Sequence, residues 1–186
     1  ADVSPTCHGG NPAWVTDNAT KVTCQSNGTE IQALSAGTLG CIATHDPNVP
    51  VDAYISVLVT DNGTTTKGPV LGFRQGSVTT STATPGTTTS AGIGYYYSLV
   101  RASAVYNLYQ FDTTQHQSTV ALGTLSQGPA QHYALGVLVK GDQITLYVNG
   151  VKVAGPITDG SHPSGWMALC TTGDTTYRDV QVYTLK

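Results

Sequence analysis

The chain has 186 residues and a mass of 19.3 kDa, with 8 Lys and Arg against 11 Asp and Glu, a formal net charge of -3 and only 10% charged residues. That length buries a sizeable core unaided, and a low, slightly acidic charge with no basic run excludes nucleic acid or an anionic membrane surface as the partner. No apolar run approaches the ~20 residues of a membrane helix. The chain starts at Ala1 without a basic or apolar leader, so it reads as a mature, processed protein of one domain, 1–186.

Residues 1–30 are rich in turns, as Ser4-Pro5, His8-Gly9-Gly10-Asn11-Pro12 and Ser26-Asn27-Gly28, around short predicted strands at Trp14-Val15 and Lys21-Val22-Thr23-Cys24. This segment reads as an edge hairpin or as an arm that reaches a neighbouring subunit. Strands are predicted around Ile31 to Leu34 and Leu39 to Ala43, with Ala36-Gly37 as the bend. The two prolines of Asp46-Pro47-Asn48-Val49-Pro50 fix φ and withdraw two donors, which makes a rigid loop.

From Ala53 to Thr60 apolar and other residues alternate, with Ala53, Ile55, Val57 and Val59 on one face and Tyr54, Ser56 and Leu58 on the other. Val70 to Arg74 follows as a strand, then a Thr- and Ser-rich stretch from Ser77 to Ser90 that reads as an exposed loop or as a strand edge presenting hydroxyls. Tyr95 to Val100 and Tyr106 to Phe111, separated by Arg101 to Ala104, make a hairpin thick with aromatic rings. Thr119 to Leu122 is a further strand before Gln127-Gly128-Pro129 breaks the chain.

The clearest signal lies in Gly136 to Val153, GVLVKGDQITLYVNGVKV. Period-two arms are separated by Lys140-Gly141-Asp142-Gln143 and by Asn149-Gly150, the pair that best tolerates the positive φ angles of a two-residue hairpin turn. The pattern predicts an antiparallel meander. Two last strands are expected at Trp166 to Cys170 and Arg178 to Leu185. About a dozen short strands at this spacing, with no helical periodicity, indicate an all-β, two-sheet antiparallel sandwich.

The meander also carries a family resemblance. The "ItLyVNG" strand and turn, followed by a short strand and Ser164-Gly165-Trp166, resembles the concanavalin A-like jelly-roll superfamily, and within it the laminin-G-like domains and the bacterial 3-keto-disaccharide hydrolase-like family. Tyr54 to Val59, Leu71 to Arg74, Tyr95 to Val100, Tyr106 to Phe111 and Tyr177 to Tyr183 fit the same template in order, so the resemblance covers roughly residues 50 to 186. It implies a jelly-roll sandwich and leaves function open, because the architecture hosts lectins, hydrolases, lyases, adhesion modules and structural pieces alike.

Cys7, Cys24, Cys41 and Cys170 show neither CxxC nor zinc-type spacing, and an even count in such a chain points to two disulfides and an oxidising compartment. Arithmetic allows three pairings. Jelly rolls commonly set an early strand beside a late one, which favours Cys41 with Cys170 and leaves Cys7 with Cys24 to pin the N-terminal arm. Asn18, Asn27 and Asn62 stand in the Asn-x-Thr pattern of glycan acceptors, in keeping with an extracellular or cell-surface location.

Glycosidases place two carboxylates across the scissile bond, yet this chain has one glutamate, Glu30, and its aspartates fall in turns, where they cap backbone donors. The five histidines are scattered, and no nucleophile elbow or Cys-His signature appears. The residues therefore indicate no enzyme. No cofactor is expected; the resemblance implies Ca²⁺ as the alternative, with Asp112, Asp142 and Asp174 as candidate oxygen donors, none of them in a dense Asp/Asn cluster. Ten tyrosines and two tryptophans against two phenylalanines favour rings with a polar handle, suited to half-wet surfaces. Arg74, Tyr95, Tyr97, Arg101, Asn107 and Tyr109 lie on the strands that line the concave sheet in the family the chain resembles, which implies a glycan site there.

Three functions are thus expected in this order. The first is an extracellular, non-catalytic carbohydrate-binding or adhesion module with a glycan or cell-surface polysaccharide as partner. The second is a structural subunit of a surface assembly that self-assembles by strand addition, and the third is a glycoside-processing hydrolase.

Overall fold

Alternation along Ala53 to Asp61 puts every second side chain into an apolar interior, and the same rule repeated strand by strand produces two stacked sheets. The computed structural model describes residues 15–16, 22–26, 30–35, 39–43, 50–62, 68–76, 92–114 and 116–185. Among these residues the strands are β1 (Val15–Thr16), β2 (Val22–Ser26), β3 (Glu30–Ser35), β4 (Gly40–Ala43), β5 (Ala53–Asp61), β6 (Pro69–Gly76), β7 (Ile93–Val100), β8 (Val105–Phe111), β9 (Gln117–Thr124), β10 (His132–Lys140), β11 (Gln143–Val148), β12 (Val151–Thr158), β13 (Trp166–Thr171) and β14 (Asp174–Thr184). The first sheet runs β1-β4-β13-β6-β7-β8-β9 and the second β12-β11-β10-β5-β14-β3-β2, with every pairing antiparallel. The expected two-sheet antiparallel jelly roll is the fold observed, and no described helix is long and apolar enough to cross a membrane.

The meander forms as its turn residues dictate. Asn149 and Gly150 take φ of 51° and 75°, and β11 and β12 close directly across them with Val148 opposite Val151. Gly141 at φ 58° turns β10 into β11, and Asp52 Oδ1 accepts its N–H at 2.8 Å.

Between the sheets lies the main core, with Ile55, Val57, Val59, Leu135, Val137, Leu146 and Tyr177 from the second sheet against Leu71, Phe73, Tyr95, Tyr97, Leu99, Leu108 and Leu169 from the first. The first sheet is buried on its other face too. Cys41, Val70, Tyr96, Tyr109, Phe111, Ala168 and Cys170 form a second cluster there, with Leu39 and Trp166 packed on it. Hence β6 is buried from Pro69 to Gln75 without alternation.

Cys41 and Cys170 are register partners on β4 and β13 and are bridged, joining positions 129 residues apart. An early strand does lie beside a late one, as expected. The Cys7 and Cys24 side chains, the Asn18 and Asn27 sequons, the Ser77 to Ser90 stretch and most of the N-terminal arm lie outside the described residues. Asn62 is exposed, and its side-chain amide donates to Asp174 Oδ1 at 3.4 Å and to Thr176 Oγ1 at 3.3 Å.

Tyr177 joins the sheets by a polar contact. Its ring is fully buried, and its hydroxyl accepts from Val70 N at 3.1 Å and donates to Cys170 O. Tyr177→Phe strands two buried backbone groups, and loss of about 2 kcal/mol of stability is expected from such orphaning, read as a lower urea midpoint at unchanged slope. Replacing Cys41 and Cys170 by Ala is expected to cost up to about 5 kcal/mol on the loop-closure model, and a thermal melt in the presence of reductant should reproduce the loss in the native chain.

Candidate functional site

A local irregularity of the first sheet builds a cleft at one end of the sandwich. Between Phe73 and Gly76 the pairing of β6 with β7 slips, and Arg74 within that bulge takes φ of 50°. A bulge re-aims a side chain, and here the strands on either side must yield to it. A Cβ on Gly94 of β7 would stand 2.7 Å from Arg74 O, and one on Gly165 before β13 would stand 2.1 Å from Gln75 O. Both glycines have positive φ, 139° and 143°, so backbone conformation and close approach make the same demand. Gln75, almost wholly buried, locks the bulge by donating from Nε2 to Tyr95 O at 2.7 Å.

Arg74 is thereby turned toward the strand ends, 5% exposed. Its Nη2 donates to Val51 O at 3.0 Å and lies 3.8 Å from Asp52 Oδ1, while Nη1 donates to His162 O at 3.3 Å. Beside it opens a cleft of about 390 Å³, walled by Arg74, Gly76 and Ile93, by Gln110, Asp112 and Thr113 after β8, and by the Ser161 to Ser164 loop. Three of these walls carry buried polar atoms with no hydrogen-bond partner among the described residues: Arg74 Nε, Gln110 Oε1 and His162 Nε2.

The loop opposite the bulge is held by Tyr95. Its hydroxyl donates to Asp159 Oδ1 at 2.6 Å and accepts from His162 N at 3.3 Å, and the His162 imidazole sits edge-on to its ring with centroids 4.9 Å apart. Burial raises the Tyr95 phenol, helped by the bond to Asp159, so it stays a neutral donor. For Asp159 burial pushes upward, but hydrogen bonds from Tyr95 and Ser161 outweigh it and leave the carboxyl below its ordinary range. Asp112 is also held low, first by the Thr114 hydroxyl and then by the His116 and Thr114 N–H groups. Burial lowers the His162 imidazole against a smaller opposing pull from Asp159.

The six residues expected to form one glycan site are not brought together. Arg74 lies at the cleft, whereas Arg101 turns between β7 and β8 at the opposite end, 3.5 Å from buried Asp61. Tyr95 and Tyr97 point into the main core with no exposed surface, contrary to their expected place on a wet face. Tyr109 does sit on the outer face of the first sheet, but it is 7% exposed and stacks on Tyr96 at 5.4 Å. Asn107 is on that face as well, with its Oδ1 buried and unpartnered. A ring closed off from solvent on both faces offers no platform to a sugar, so these three tyrosines are packing residues.

Six of the ten tyrosines are buried, Tyr95, Tyr96, Tyr97, Tyr109, Tyr133 and Tyr177, so the excess of tyrosine is mainly an interior property. Gln110 and His162 were missed in the sequence, and only the bulge at Arg74 connects them. The aspartates weighed for Ca²⁺ are dispersed. Asp142 takes Gln143 Nε2 near the start of β5, and Asp174 takes Gln32 and Asn62 near its end, while Asp112 caps its own turn. Among the described residues no three His, Cys, Asp or Glu side chains gather to hold a metal.

No family model and no curated protein matches the chain. Solved structures do resemble it. The carbohydrate-binding module CBM66 from Bacillus subtilis is 17% identical, over 92% of this chain and 95% of that one, with a TM-score of 0.60. A Bacillus subtilis protein of unknown function with a galectin-like fold is 13% identical over 99% and 98%, TM-score 0.64. The exoplasmic/lumenal domain of VIP36 in its Ca²⁺/Man3GlcNAc-bound form is 13% identical over 99% and 88%, TM-score 0.61. These likenesses define the class of fold, a jelly-roll sandwich of the kind seen in lectins and carbohydrate-binding modules.

His162 supplies a pH test. Its folded pKa lies below the ordinary 6.5, so the unfolded chain binds the proton more tightly and stability rises with pH through the window that ends near 6.5. Unfolding midpoints should therefore climb from pH 5 to pH 7.5, and His162→Gln should flatten that rise.

Proposed function

We propose that the chain is an extracellular, non-catalytic carbohydrate-binding module of the concanavalin A-like superfamily, and that the cleft beside Arg74 is its sugar site. The observation that carries this reading is that Arg74, Gln110 and His162, which line one cleft of about 390 Å³, each hold a buried polar atom without a partner, Nε, Oε1 and Nε2. An unpaired buried polar group costs about 1 to 3 kcal/mol, and three in one place suit a ligand that both donates and accepts. Sugar hydroxyls do both. Arg74 and Gln110 offer a donor and an acceptor fixed by packing, and the Asp112 carboxylate and the Thr113 and Ser164 hydroxyls stand at the rim.

Most of the similar folds favour the same class, being a carbohydrate-binding module, a Man3GlcNAc-bound domain and galectins, beside a sialidase and a glycosyl hydrolase. Against hydrolysis stands the ionisation of two of the nearby carboxyls. Asp112 and Asp159 are both held below the ordinary carboxylate range, whereas a glycosidase needs one raised to act as a general acid. The single glutamate, Glu30, lies 3.7 Å from Arg178 on the second sheet, away from the cleft. The buried disulfide supports an oxidising, extracellular setting.

A specific feature favours the structural reading as a second choice. Edge strand β9 runs eight residues without a charge or a proline, and Leu122 on it is 65% exposed. The edge of the second sheet beside it, β12, carries Lys152 and Pro156, the usual guards against strand addition.

Glycan-array binding should be found, and Gln110→Ala should weaken it at least tenfold while leaving the melting midpoint within a few degrees. Unchanged affinity would move the site elsewhere. Light scattering that shows size growing with concentration, together with a silent array, would favour assembly through β9.

A further inference from the structure

Whereas the outer face of the first sheet is closed over β13, β6 and β7, the outer face of the second presents wet aromatic rings. Tyr54 of β5, Tyr147 of β11 and Tyr183 of β14 meet there. Tyr54 and Tyr147 lie edge to face at 5.7 Å, and Tyr54 and Tyr183 lie at 6.2 Å with planes only 30° apart. Tyr54 and Tyr147 are part-exposed, and Tyr183 is 50% exposed.

The backbone beneath is built to hold these rings low. Cross-strand register sets Tyr147 beside Gly136, Gly136 beside Ser56, and Ser56 beside Gln181, a row over four adjacent strands. At a strand spacing of about 4.8 Å that row spans roughly 14 Å. Any Cβ on Gly136 would stand 2.6 Å from Tyr54 Oη, so glycine is what allows the Tyr54 ring to lie across β10. Beside that ring the floor is Ser56, Leu58 and Ala134, and a depression of about 270 Å³ opens between it and Asp179 and Gln181.

The polar side of the depression comes from a second bulge. Pairing of β14 with β5 slips between Arg178 and Gln181, and Asp179 takes φ of 49°, a conformation in which a non-glycine residue is uncommon. The bulge turns Asp179 outward. Among the described residues its carboxylate has neither a hydrogen bond nor an ion pair, and Gln181 uses only its Oε1, as acceptor for the Tyr183 hydroxyl. A free acceptor and a free amide donor thus line the depression, and Gln181 joins it to Tyr183.

We propose that this outer-face trough is a second binding site, for a neutral oligosaccharide, with a pyranose C–H face on the Tyr54 and Tyr183 rings and its hydroxyls on Asp179, Gln181 and Ser56. The chemistry narrows the occupant. Part-exposed rings close to hydrogen-bonding groups suit a ligand with one apolar and one polar side, and the unpaired Asp179 carboxylate repels uronic acids and other anions. The trough lies on a different sheet from the Arg74 cleft, so this site does not depend on that cleft's binding sugar.

The test is an amide-resolved NMR titration of the full chain with cellotetraose, xylotetraose, mannotetraose and laminaritetraose in turn. At least one tetraose should saturably shift the amides of Ser56, Ala134 and Gly136. Tyr183→Ala, at a half-exposed position that spares the core, and Tyr147→Ala should each weaken that binding roughly three- to tenfold. Gln110→Ala, at the other cleft, should leave it unchanged. Shifts confined to Gly76, Asp112 and His162 would overturn the second site while upholding the first. Absence of a tyrosine-dependent shift with every tetraose would overturn it as well, as would shifts on this face that track protein concentration without sugar.

Discussion

Tyr177 stands on β14 with its ring in the core and its hydroxyl between Val70 and Cys170, neighbouring residues on two strands of the opposite sheet. Apolar contact between two sheets is nondirectional and leaves their stacking free to slide. A phenol that must reach one N–H and one C=O across the interior removes that freedom, since any shift orphans buried groups. The disulfide adjoins the same point, because Cys170 is bonded by its carbonyl to Tyr177 and by its sulfur to Cys41. Nearby, the Thr171 and Thr175 hydroxyls meet at 2.9 Å and tie the corner at which the chain passes from β13 to β14.

Tyrosine serves a similar purpose elsewhere in the molecule. Tyr95 reaches from the core to Asp159, Tyr97 to the carbonyl of Tyr147, and Tyr96 to the carbonyl of Gly92. Each ring fills the interior and ends on a backbone or loop oxygen, a combination that phenylalanine lacks. In a chain with so few charges, these hydroxyls do the positioning that ion pairs do elsewhere. Tyr95 has the most direct bearing on the candidate site, because it braces the 159–162 loop against the Arg74 bulge.

Both candidate sites arise where pairing slips. The β6 bulge sends Arg74 into a cleft with Gln110 and His162, and the β14 bulge sends Asp179 out beside Tyr54 and Tyr183. Regular ladders place side chains in two fixed directions. A bulge adds a third, at the cost of a left-handed residue, and that residue is polar in both cases.

The amino-acid order by itself determined the strands, because period two and Asn-Gly turns are local properties, and Val137 to Val153 forms the meander its pattern demands. It also carried the pairing of Cys41 with Cys170, through the jelly-roll likeness that sets an early strand beside a late one. It did not reveal which tyrosines are wet. Tyr95, Tyr96 and Tyr97 look alike in sequence, yet all three are buried, since both faces of the first sheet are covered where β7 runs, and alternation identifies a solvent face only when one exists. Nor could spacing show that Arg74, in one strand, and Arg101, in the turn that follows the next, lie at opposite ends, or that Gln110 and His162 meet at a cleft. Register and bulges decide those meetings, and they follow from contacts between residues far apart in the chain, such as Gly165 against Gln75, that no local pattern records.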